Sequence, residues 1–71
     1  MLTFVFAAFE PGSDLYQEVV EAADEFEAAQ IFVSDQGYMS YHDTRQFYSV
    51  DELFDEIYET QDVRINFIVL E

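Results

Sequence analysis

This sequence predicts an α+β fold: one small domain in which an antiparallel sheet carries two helices on one face, in the order β-α-β-β-α-β. Three observations predict it. Apolar runs of strand length, Leu2–Phe9 and Val63–Leu70, sit at the two ends of the chain. Two stretches between them repeat their apolar residues at helical spacing. The polar breaks hold Pro11, Gly12 and Gly37, and two cap-forming serines, Ser13 and Ser49.

The first run, LTFVFAAF, is rich in β-formers and nearly continuous in hydrophobicity, as a strand inside a sheet is. Leu2, Phe4, Phe6 and Ala8 share one face. Thr3, Val5, Ala7 and Phe9 share the other, which is milder and partly exposed. Glu10-Pro11-Gly12 breaks the strand.

Ser13 to Val33 then reads as an amphipathic helix. Leu15, Val19, Ala22, Phe26, Ala29 and Val33 form its stripe, widened by Tyr16, Val20 and Ala23. Ser13 stands at the N-cap, and Gly37 ends the helix where a left-handed residue is needed. The opposite side carries Asp14, Glu18, Glu21 and Glu25, stacked as a ladder of carboxylates along one edge. A second reading of this stretch stays open. Asp24-Glu25-Phe26-Glu27 also forms a capping box, which would start a shorter helix at Asp24 and leave Leu15–Ala22 as a strand. The helical reading separates apolar from acidic residues more cleanly and is preferred.

Tyr38–His42 and Arg45–Ser49 read as a short hairpin around Asp43-Thr44, from their aromatic content and the turn residues between them. Ser49 caps a second helix, Val50–Thr60, with Glu52 completing a capping box. Leu53, Phe54, Ile57 and Tyr58 make its buried side, and Asp51, Glu52, Asp55, Glu56 and Glu59 fill the rest. Val63–Leu70 is the last strand. Its residues Val63, Ile65, Phe67 and Val69 face one way, and Arg64, Asn66, Ile68 and Leu70 the other. The order is that of the ferredoxin-like split βαβ, and right-handed crossovers place the first and last strands in one sheet. Phe4, Phe6, Phe26, Phe54, Ile57, Ile65 and Phe67 are the expected core.

Residues 1–71 make a single acidic domain, with no linker or repeat. A chain this short has a thin stability margin. It holds no cysteine and one histidine, so apolar packing must supply its stability; 51% hydrophobic and 18% aromatic residues suffice for a core and argue against disorder. Sixteen Asp and Glu against two Arg, with no lysine, give a net charge of −14. Self-repulsion at that level opposes folding, so the acidity points to solubility or to a basic partner.

Several function classes lose their ingredients. A phosphate backbone demands Lys and Arg, so direct nucleic-acid binding is not expected. An anionic membrane would repel the chain, and Leu2–Phe9 lacks the flanks of a secretory leader. A cytoplasmic protein is expected. Ser40 and His42 share a face if they lie on a strand, but a histidine on a hairpin surface is the plainer reading. Carboxylates here are too abundant to mark a glycosidase pair, and no stretch matches a calcium loop. No enzyme activity, no metal and no cofactor are expected.

What remains is the acidic ladder. Along a helix, Asp14 to Glu25 would span roughly 16 Å. Its neighbouring carboxylates would lie about 5–6 Å apart. Phosphates of one DNA strand advance about 3.4 Å per residue along the axis and lie further apart through space. A row of carboxylates can therefore occupy a Lys- and Arg-lined groove built for phosphates. Asp14, Glu18, Glu21, Glu25, Asp51, Asp55 and Glu59 are the expected contacts with such a partner.

In size, acidity, absence of cysteine and α+β pattern, the whole chain resembles the small acidic inhibitors carried by bacteriophages, the anti-CRISPR proteins, and among these the single-domain inhibitors of type I-C systems. The resemblance is carried by no motif and transfers no site residue. It implies a stoichiometric, non-enzymatic inhibitor in an infected bacterium. Such an inhibitor binds a DNA-recognising surveillance complex, here one of type I, and blocks target DNA; for the chain itself a monomer is expected. Two other readings of the residues stand beside it. One is a small interaction module or homo-oligomer that pairs through the second sheet face (Thr3, Val5, Ala7, Arg64, Asn66, Ile68). The other is a regulatory domain binding a small ligand, which the fold alone neither favours nor excludes.

Overall fold

In a computed structural model, which describes residues 1–12 and 15–70, the first apolar run is strand β1 (Leu2–Phe9). The chain turns back through Gly12, whose φ of 71° suits a residue without a Cβ, into β2 (Tyr16–Ala22). Three helices follow: α1 (Glu25–Asp35), α2 (Tyr41–Thr44) and α3 (Val50–Gln61). The chain ends in β3 (Arg64–Leu70). The strands form one antiparallel sheet in the order β2-β1-β3. The α+β class, the antiparallel sheet and the helices on one face are as the sequence predicts. The first and last strands share this sheet, as expected, and pair directly with each other.

Two segments depart from the expectation, so the order of elements runs β-β-α-α-α-β. Tyr16–Ala22 is a strand, and the capping-box alternative holds: α1 begins after Asp24, whose Oδ1 accepts the Glu27 N–H at 2.8 Å. The sheet decides between the two readings. Val20 pairs opposite Phe4 and Ala22 opposite Leu2, and both are buried. Without β2, β1 and β3 would be a two-stranded sheet, which is marginal in water. Ser13 and Asp14 lie outside the described residues.

The expected hairpin is instead α2 and its flanking turns. Ser40 caps α2, its Oγ accepting the Asp43 N–H at 3.2 Å. The fully buried Thr44 hydroxyl donates to the Tyr41 carbonyl at 2.6 Å and accepts from Gln30 Nε2 at 3.1 Å. That latch ties α2 to α1 and satisfies both buried polar groups, which an unpaired hairpin could not do.

Both ends of the longer helices follow local rules. Gly37, at φ 79°, ends α1 with the Tyr38 N–H donating to the Val33 carbonyl at 3.0 Å and its own N–H to Ser34 at 3.2 Å. Ser49 caps α3 through the Glu52 N–H at 3.2 Å, and the Glu52 carboxylate accepts the Tyr48 N–H at 3.1 Å.

The core lies between one sheet face and the helices. Phe4, Phe6, Ala8, Val20 and Ala22 supply the sheet side; Ala28, Ala29, Phe32, Val33, Leu53 and Ile57 supply the helix side. Of the expected core, Phe4, Phe6 and Ile57 are buried, while Phe26, Phe54, Ile65 and Phe67 pack against it half-buried. Phe32 takes the central place on α1, beside the buried Ala28, Ala29 and Val33, while Phe26 in the first turn lies at the margin of the core.

Candidate functional site

The seven predicted contact residues do not form one ladder. Glu18 and Glu21 lie three apart on a strand, and an odd spacing puts them on opposite faces of β2. Glu21 is exposed on the outer face, opposite Thr3. Glu18 sits on the inner side at the sheet edge, where its Oε1 accepts from Gln36 Nε2 at 3.0 Å. Glu25 is in the first turn of α1. Asp14 is outside the described residues. The helical ladder from Asp14 to Glu25 is thus replaced by carboxylates on three separate surfaces, because β2 has period two where the ladder needed period 3.6.

The carboxylates of the second helix keep the helical spacing that the sequence predicts. Asp51, Asp55 and Glu59 are exposed on α3 at intervals of four residues, about 6 Å per step along the axis. Glu25 borders the same end of the molecule. A shallow groove lined by Leu2, Asp24, Glu25, Phe26, Ser49 and Val50 brings the starts of α1 and α3 together. Of the seven residues, Asp51, Asp55 and Glu59 share α3, and Glu25 lies across the groove from the start of that helix, where Asp24 and Glu52 take part in the two caps.

The electrostatics of this surface are lopsided. Acidic residues in the first turns of α1 and α3 suit the positive ends of those helices. The last turn of α3 holds no basic residue; Glu59 is there, and Asp62 follows as the C-cap in left-handed conformation. Negative charge at that end opposes the helix dipole. One of the two arginines, Arg64, lies near α3, with its guanidinium 5.4 Å from the Tyr58 ring centroid.

Two titrating groups lie away from that surface. Partial burial, and then hydrogen bonding with Asp35, hold the Glu18 carboxyl above its ordinary range, while the Gln36 amide pulls it down. Burial, with Glu10 beside it, pushes the Tyr38 phenol up to about 12. Neither group stands in a deep cleft. Ser40 and His42 belong to the start of α2 rather than to a strand, so the face they would share on a strand does not arise; the Ser40 hydroxyl serves as a cap, and the exposed His42 lies on a helix rather than on the expected hairpin. Among the described residues no cluster of His, Asp and Glu is arranged to hold a metal ion, and no helix is long and apolar enough to cross a membrane.

The sheet face away from the helices is the second notable surface. Val19, Val5 and Ile68 lie side by side across its three strands, with Val19 63% and Ile68 60% exposed. No protein-family model matches the chain, and no curated protein or solved structure matches it.

Proposed function

We propose that this protein is a non-enzymatic inhibitor that seats an acidic surface in the basic groove of a DNA-recognising protein complex and so blocks target DNA. The observation that carries the reading is the exposed row of Asp51, Asp55 and Glu59 on α3, continued by Glu25 at the adjoining helix start. A net charge of −14 with no lysine gives this row a field that basic grooves attract. Helix stability favours Asp51 in the first turn but does not account for Glu59, which with Asp62 lies at the end of α3 where negative charge is disfavoured. The resemblance to anti-CRISPR inhibitors makes a type I surveillance complex the target to test, and the cytoplasm of an infected bacterium the place of action. In this reading the protein works as a monomer, binds no nucleic acid itself and needs no cofactor.

A second reading has its own observation. The uncovered apolar face around Val5, Val19 and Ile68 suits an interaction module or homo-oligomer that uses no mimicry.

The test is competition between this protein and duplex DNA for a purified surveillance complex. Single neutralisations such as Asp55→Asn should weaken binding modestly, because exposed charge contacts are individually small. Reversing Glu25, Asp51, Asp55 and Glu59 together to Lys should abolish it while the fold survives. Binding should fall steeply with added salt. Simultaneous binding of protein and DNA, with DNA affinity unchanged, would rule out mimicry on that target and favour the second reading.

A further inference from the structure

We infer that the free edge of β3 is a docking edge for an extended, basic segment of another protein, which adds to the sheet as a fourth strand. This goes beyond the acidic-surface reading and does not require that the partner bind DNA. Three observations converge on it.

The first is that the edge is open and unguarded. β3 pairs with β1 on one side, and among the described residues no other backbone hydrogen bond reaches Arg64–Leu70. Natural edge strands are usually protected by lysines, prolines, inward charges or bulges. Arg64–Leu70 has no Lys, Pro or carboxylate; its one charged residue, Arg64, stands at its first position with its guanidinium over the Tyr58 ring, and Ile68, Val69 and Leu70 are 60%, 40% and 47% exposed. The opposite edge is guarded: β2 carries Glu18 and Glu21 on its two faces, and the Gln36 side chain at the end of α1 bonds Glu18.

The second is a groove beside the open edge. Phe54, Asp55 and Tyr58 of α3, with Arg64, Ile65 and Asn66 of β3, line an open cavity of about 380 Å³. Strand addition draws its affinity from main-chain hydrogen bonds and its specificity from pockets for alternate side chains. The edge supplies the first requirement and the groove the second.

The third is charge, which chooses the occupant. The groove rim holds Asp55, with Glu59 one turn further along α3 and Asp62 just before β3. Arg64 is turned onto the Tyr58 ring. A second copy of this chain would bring like carboxylates together across the seam, at −14 per chain. A strand of alternating apolar and Lys or Arg residues meets apolar side chains along the edge and carboxylates at the rim.

The experiment uses the whole protein and a short synthetic peptide alternating valine and lysine. Amide hydrogen exchange is followed by NMR with and without saturating peptide. Alternate amides of Arg64–Leu70, those pointing away from β1, should slow about tenfold or more, while β2 amides stay unchanged. The same peptide N-methylated at alternate backbone positions keeps its charge but cannot pair, and should give no protection; a glutamate-for-lysine peptide should not bind. The proposal is overturned if both basic peptides protect equally, if exchange in β3 is unchanged at saturation, or if no binding occurs up to millimolar peptide. It is also overturned if β3 protection grows with protein concentration alone, which would make a second copy the occupant. None of these outcomes depends on the DNA competition.

Discussion

Phe6 lies nearly flat on Phe32, with ring centroids 4.9 Å apart and an angle of 12° between the planes. The pair joins the middle strand to the middle of α1. Phe67 stacks on Phe6 at 5.2 Å, and Phe54 meets it edge-on at 6.3 Å. Phe6 is therefore the ring through which sheet and both long helices are coupled. Offset and edge-on geometries of this kind add to the free energy of burial.

The fully buried Phe32 should be costly to truncate. Phe32→Ala is expected to lose about 3–5 kcal/mol in a urea titration, a large part of a small domain's stability. Phe67→Ala should cost distinctly less, because Phe67 is only half-buried at the edge strand. Equal losses would place Phe67 beside Phe32 at the centre of the core and overturn this ranking.

Glu18 should make the protein more stable in mild acid. Its folded pKa is raised, chiefly by burial and then by Asp35, so the folded state holds its proton more tightly than the unfolded chain. Stability therefore falls as pH rises from the unfolded value through the folded one, and is regained on acidification over that window. The melting temperature should rise as pH is lowered from neutral toward the ordinary glutamate range. Glu18→Gln, which keeps an acceptor for Gln36, should raise the melting temperature at neutral pH and flatten the profile. An unchanged profile in the variant would assign the acid effect to general charge repulsion instead.

Charge on α3 should oppose stability. Replacing Glu59 by Lys puts a favourable sign in the last turn of the helix, and Asp62→Asn removes a negative charge from a left-handed cap that asparagine also tolerates. Each change should stabilise by about 0.3–1 kcal/mol at low salt. Sodium chloride should raise the melting temperature of the parent protein more than that of the double variant, since ions screen the same repulsion over about 8 Å at physiological strength. A parent melting temperature that is flat or falls with salt would mean that the carboxylates are locally compensated.

What the sequence by itself determined were the elements whose signals are local and mutually consistent. Leu2–Phe9 is apolar at every position but Thr3. Ser49 and Glu52 cap α3 with atoms three residues apart, and Gly37 stops α1 through its own backbone freedom. The row Asp51, Asp55 and Glu59 was legible for the same reason, because once the helix is fixed its spacing fixes the row. Leu15–Ala22 was different. Its residues admit both a helical stripe and a strand pairing, with the stripe the cleaner pattern, and the choice came from outside the segment, when β1 offered an open edge on which Val20 and Ala22 could be buried. The positions of Glu18, Glu21 and Glu25 followed that choice, since residues three apart share a helix face but oppose each other on a strand. Tyr38–Ser49 was decided at a distance as well: Gln30, on α1, needed the Thr44 hydroxyl as its buried partner, and no period within the segment encodes that bond. Tertiary structure ruled wherever two local patterns were near balance, because burial and hydrogen-bond pairing between distant residues outweigh the few tenths of a kcal/mol by which intrinsic propensities differ.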